Sequence, residues 1–173
     1  MRSVRSASRA LPLALALGAT ALPAAAAFKG PPWISVEMPA NPFDRASRGA
    51  FLLVHAFHHG TELGLPVSGR AEGLVNGERR TVRLRFDATS RQGVYALQTQ
   101  WGGEGTWTLV ITASQGPNDG ATALVELSPD GRVAVSVPSR QEREWTVPRA
   151  VTDAEIETAL RARAAAVVGV RGR

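Results

Sequence analysis

The chain has 173 residues, 44% of them hydrophobic and 20% charged, with no cysteine and a formal net charge of +5. That length suits one domain with a tail, and the apolar fraction is too high for a disordered chain. The absence of cysteine excludes a disulfide framework, a thiolate metal site and a cysteine nucleophile.

Residues 1–27 read as a secretory signal peptide. Arg2, Arg5 and Arg9 form a positive start, Leu11 to Leu22 is a short apolar stretch, and Ala25-Ala26-Ala27 supplies the small residues of a cleavage site. The apolar stretch is shorter than the ~18–20 residues that span a bilayer and is interrupted by Pro12 and Gly18. The expectation is therefore cleavage before Phe28 and export to the periplasm or the cell exterior, with no transmembrane segment left afterwards. No cysteine follows the small residues to carry a lipid anchor.

Losing three of the 20 basic residues leaves 17 against 15 acidic ones, a net of +2. Between Phe28 and Pro148 basic and acidic residues balance at 12 each, and the excess sits in the tail from Arg149 to Arg173. A neutral body lacks the clustered cations that phosphate contacts require, so nucleic acid is excluded as the expected partner.

The body then reads as successive short strands. Ile34 to Met38 alternates and ends at Pro39, whereas Ala50 to Phe57 is apolar on both faces, as a central strand should be. Pro66 to Val75 is a glycine-interrupted strand, and Asn76-Gly77 is a hairpin turn in which both positions take φ > 0. On the returning strand Val82, Leu84 and Phe86 point one way and Thr81, Arg83 and Arg85 the other. Val94 to Trp101 is the next strand, with Tyr95, Leu97 and Trp101 on one face, and Gly102 to Gly105 is expected to be a hairpin turn. Trp107, Leu109 and Ile111 alternate with Thr106, Thr108 and Val110. After the loop Gly116 to Gly120, Ala123, Val125 and Leu127 pair through Pro129-Asp130-Gly131 with Val133, Val135 and Val137. Eight such strands predict an all-β fold, an immunoglobulin-like antiparallel β-sandwich over residues 28–138.

Residues 139–173 read as a linker and one C-terminal α-helix. Thr152 and Glu155 are spaced as a capping box, Ile156, Leu160, Ala164 and Val167 form one apolar stripe, and Glu157 and Arg161 are an i,i+4 pair. The helix is expected from about Asp153 to Val168, with Trp145 in the linker as a docking residue.

Chemistry-bearing residues are few. His55, His58 and His59 lie within five positions, and imidazole clusters of this kind in exported proteins take copper or zinc. Continued strand alternation would put His55 and His59 on one face, with Glu37, Met38 or Glu62 available to complete a ligand set. The alternative places His55 beside Phe57 in a strand and the other two in a polar loop. The arginines at 79, 80, 83 and 85 read as a solvated sheet face paired to acids such as Glu72, and Tyr95, Trp101 and Trp107 as core. A Gly-x-Ser-x-Gly elbow, paired carboxylates and a phosphate loop opening a helix are all missing from the sequence, so no catalytic residue is expected.

The runs Gly49-Ala50-Phe51-Leu52-Leu53-Val54, Leu65-Pro66-Val67-Ser68-Gly69, Gly93-Val94-Tyr95-Ala96-Leu97 and Gly105-Thr106-Trp107-Thr108-Leu109 resemble the YtkA-like and FixH-like bacterial extracytoplasmic domains. The resemblance implies an immunoglobulin-like domain of the cell envelope, and some relatives accompany copper handling. The amino-terminal histidine of small copper-carrying sandwiches has no counterpart at Phe28, and the mature chain holds only Met38 as a thioether. The reading is an exported, non-catalytic accessory or binding module that needs no cofactor and whose partner is another envelope protein. The alternative is a periplasmic metal-binding protein using His55, His58 and His59. No sequence feature specifies an oligomeric state.

Overall fold

The computed structural model describes residues 30–128 and 131–171, with side chains described as far as Ala164 and Ala46 excepted. The expected signal peptide at 1–27 and the first two turn residues at 129–130 lie outside the described residues.

In chain order the strands are β1 (Trp33–Glu37), β2 (Leu52–His58), β3 (Thr61–Glu62), β4 (Val67–Val75), β5 (Glu78–Leu84), β6 (Asp87–Ala88), β7 (Val94–Leu97), β8 (Thr106–Gly116), β9 (Asp119–Leu127) and β10 (Val133–Ser136). They are followed by β11 (Ser139–Glu142), β12 (Trp145–Pro148) and the helix α1 (Asp153–Arg171). One sheet has the order β1-β2-β7-β6 with β3 on β2, the other the order β10-β9-β8-β4-β5, and every pairing is antiparallel. This is the expected β-sandwich with a terminal helix.

Alternation builds the core between the sheets. Ile34, Leu52, Val54, Ala56 and Leu97 from one sheet meet Ala71, Leu84, Trp107, Leu109, Ile111 and Val125 from the other. Tyr95 and Trp101 pack against the same core, Trp101 edge-on to Phe51 at 5.1 Å, and the Tyr95 hydroxyl donates to the Leu65 carbonyl at 2.6 Å. The three aromatics are therefore core, as their spacing indicated. Glycine at position 73 makes room for the Trp107 ring on the neighbouring strand, since a Cβ there would lie 2.6 Å from ring carbons. Asn76 and Gly77 both hold positive φ, 53° and 83°, and close β4 onto β5 in the expected register.

Several expectations need correction. Gly102 to Gly105 is not a hairpin turn. It carries the chain from β7 in one sheet to β8 in the other, and β7 ends at Leu97 because the chain must leave its sheet to cross. Twelve strands occur among the described residues instead of eight, and the linker itself folds into the two-stranded ribbon β11–β12. Its turn residues, Arg143 and Glu144, carry no glycine or asparagine, so the turn is silent in the sequence even though Arg143 takes φ 57°. Trp145, expected to dock, is instead 67% exposed.

The helix docks instead through its own stripe. Ile156, Ala159 and Leu160 are buried against Val110 and Leu124 on the outer face of the second sheet. Glu126 receives Arg163 at 3.2 Å, and Glu157 pairs with both Arg79 and Arg161. The capping box is formed, with the Thr152 amide donating to Glu155 at 2.8 Å and the Glu155 amide donating to the Thr152 hydroxyl at 3.2 Å. The helix continues through Gly169 to Arg171, beyond the expected end.

Candidate functional site

The three histidines do not form one cluster. On β2 the odd positions Leu53, His55 and Phe57 face outward, whereas Leu52, Val54 and Ala56 face the core. His55 sits on the outer face, 12% exposed, between two carboxylates: Nδ1 is 2.7 Å from Glu62 Oε1 and Nε2 is 3.1 Å from Glu37 Oε2. Its ring stacks on Phe57 at 6.1 Å. Glu37 and Glu62, two of the residues considered for a ligand set, thus meet His55 itself, on opposite sides of the ring. Both ring nitrogens thus lie within hydrogen-bond reach of a carboxylate, which holds the ring between β1 and β3 on the outer face of the sheet.

His58 lies on the other side of the strand, 5% exposed, with Nε2 3.3 Å from the Gly30 carbonyl. The expected sharing of a face by His55 and His59 fails because the strand stops at His58. His59 takes φ 50° and Gly60 φ 76°, which breaks the two-residue alternation and folds the His59 ring onto His58, with centroids 4.1 Å apart. Among the described residues no group of three or more histidine and acidic side chains is arranged to hold a metal ion. The described residues therefore lend no support to a copper or zinc centre.

Of the arginine stripe, Arg79 joins a network around Glu72 and Arg80 pairs with Glu78. Glu72, 7% exposed, accepts from Arg70 Nε at 2.6 Å, Arg79 Nε at 3.1 Å and Thr81 Oγ1 at 2.8 Å. Burial pushes the Glu72 carboxyl up, but the hydrogen bonds from Thr81, Arg70 and Arg79 outweigh it and hold the group below the ordinary carboxylate value.

The feature that the sequence did not reveal is a cleft of about 1120 Å³ at one end of the sandwich. The β8–β9 turn from Gly116 to Gly120 forms one side and the ribbon β11–β12 another, while Gly30, Pro31 and His59 close the third. Gln115 ties these parts together, donating to the Gly30 carbonyl at 3.0 Å and to Asp119 at 2.7 Å. The lining carries three arginines (Arg140, Arg143, Arg149) and three carboxylates (Asp119, Glu142, Glu144), with Trp145 at the ribbon tip. Arg140 pairs with Glu142 at 3.1 Å, and Arg149 is held by both oxygens of Glu155 at 2.5 and 2.9 Å. The balanced charge gives no preference for an anion. Of the candidate binding or docking residues named from the sequence, His59 and Trp145 line this cleft, together with the loop Gly116 to Gly120. The others around it come together by the fold alone.

Among the described residues no helix is long and apolar enough to cross a membrane. No protein-family model, curated protein or solved structure matches the chain.

Proposed function

We propose that the protein is an exported, non-catalytic binding module of the bacterial cell envelope whose working end is the cleft beside β11–β12. The observation that carries this reading is Trp145. A tryptophan left 67% exposed at the tip of a ribbon, above a cleft slightly larger than a small-molecule pocket, forgoes a large burial energy that a partner recovers. Exposed aromatics next to arginines are the residues that anchor protein interfaces. The β-sandwich itself supports the reading, because such scaffolds present end loops and hairpins on a rigid body. The short motifs shared with YtkA-like and FixH-like domains support an envelope location, as does the signal-peptide layout of residues 1–27. The partner of this reading is another envelope protein.

The test places a photo-crosslinking residue at Arg143, on the ribbon turn, in living cells. A single dominant cross-linked envelope protein, lost in Trp145→Ala and retained when the crosslinker sits at Arg143 of an otherwise unchanged chain, is the expected result. Cross-linking that ignores Trp145 would sink the assignment of this end. Amino-terminal sequencing of the envelope-derived protein checks the export step, with Phe28 expected as the first residue.

A further inference from the structure

The two free edges of the second sheet differ in character. Its β5 edge carries Arg79, Arg80 and Arg83, charges of the kind that keep edge strands from pairing with other chains. Its β10 edge reads Val133-Ala134-Val135-Ser136, without charge or proline, and Val135 is 43% exposed. No strand among the described residues bonds to the far side of β10.

The direction of the β10 backbone groups follows from the register. The Ser128 amide donates to the Arg132 carbonyl at 2.8 Å, and the pairs Leu127↔Val133 to Leu124↔Ser136 continue the same register. In an antiparallel ladder hydrogen-bonded pairs alternate with non-bonded ones, so Ala134 and Ser136 bond to β9. Val133 and Val135 therefore aim their N–H and C=O groups at the open edge.

We infer that β10 pairs with β10 of a second copy of this chain, antiparallel about a two-fold axis through Ala134, and joins two five-stranded sheets edge to edge. Antiparallel pairing about a two-fold is self-complementary, and a strand without charge meets its own copy without repulsion. Val133 of each copy faces Val135 of the other as a hydrogen-bonded pair, and the two pairs each exchange both backbone bonds. The four valines lie on one face, continuing the core against which Val133 already packs. Ala134 meets its symmetry mate in a non-bonded pair, with Cα atoms about 4.5 Å apart. Because the strand is short, the interface falls at the small end of specific contacts and the dimer is concentration-dependent. This inference does not depend on the cleft, and neither result bears on the other.

The complete lack of native cysteine makes a clean test available. Ala134 is exposed, and Ala134→Cys puts two thiols within disulfide reach only in the inferred register. Mild oxidation of the purified chain is expected to give a covalent dimer much faster than in a Ser90→Cys control on a distant exposed loop. Sedimentation equilibrium of the unmodified chain is expected to show reversible doubling of mass with concentration. Val135→Lys should raise the dimer dissociation constant at least about tenfold, with the melting temperature unchanged at concentrations where both chains are monomeric. A monomeric mass at every concentration, or Ala134→Cys cross-linking no faster than the control, overturns the inference. A hetero-partner strand on the same edge would give the first of these results.

Discussion

Replacing Ile156 by alanine tests whether the helix is a docked part of the fold or a free stalk. Ile156 is fully buried and lies with Ala159 and Leu160 against Val110 and Leu124. The substitution removes three buried carbons, worth about 2.4 kcal/mol at about 0.8 kcal/mol per methylene. A residual cavity adds to this loss. Alanine is the better helix former and returns up to about 0.5 kcal/mol. The net expectation is a loss of about 2–3 kcal/mol, which at this chain length lowers the melting temperature by roughly 5–10 °C. Urea unfolding followed by tryptophan fluorescence reads the change, because Trp107 lies in the main core between the sheets and not in the cluster that holds Ile156. Arg161→Ala, at a side chain 80% exposed, is the control and should stay within about 0.5 kcal/mol. A free helix makes the opposite prediction, in that Ile156→Ala would leave stability unchanged or raise it slightly. A loss below about 0.5 kcal/mol would therefore refute the docked arrangement.

Two further outcomes are expected. The hydrogen bond from Arg149, together with the amide and hydroxyl of Thr152, lowers the Glu155 carboxyl from its ordinary 4.5 to about 2. A carboxyl depressed in the folded state contributes stability that is fully present above the unfolded value and is lost as pH falls through the folded one, so helical circular dichroism should weaken between pH 4.5 and about 2. Glu155→Gln should flatten that dependence, and an acid limb identical to the unmodified chain would remove the capping argument. Titration with Cu(II) and Zn(II) should give no site tighter than about 10 μM, since His55 lies on the opposite side of β2 from the stacked His58 and His59 and no described group of three or more histidine and acidic side chains is arranged to hold a metal ion. Tighter binding that vanishes in a His58→Ala, His59→Ala double variant would show that the pair recruits further ligands.

Local patterns carried the strands well. The alternation of Val82, Leu84 and Phe86, the Asn76-Gly77 turn and the Thr152–Glu155 box are each set by a few adjacent residues, and each stands in the structure where the sequence put it. The Gly102–Gly105 segment shows the limit of such patterns. Glycines permit a sharp change of direction, but whether the chain returns to the same sheet or crosses to the other depends on which strands pair, and pairing is a long-range property. The ribbon β11–β12 escaped notice for a related reason, because its turn uses Arg143 in a conformation usually given to glycine or asparagine.

The histidines mark the same division within the candidate site. Sequence pattern alone determined that His55 belongs to a strand, and offered Glu37 and Glu62 only as acidic candidates without placing them. The tertiary structure decided that the two carboxylates approach from opposite sides, and that positive φ at His59 turns that residue away from His55. Composition determined that the body is neutral, free of cysteine and rich enough in Val, Leu and Trp to close a core without cross-links. The cleft, the exposure of Trp145 and the open β10 edge came only with the packed fold, because each is a gap between elements distant in sequence, and no local pattern of side chains encodes a gap.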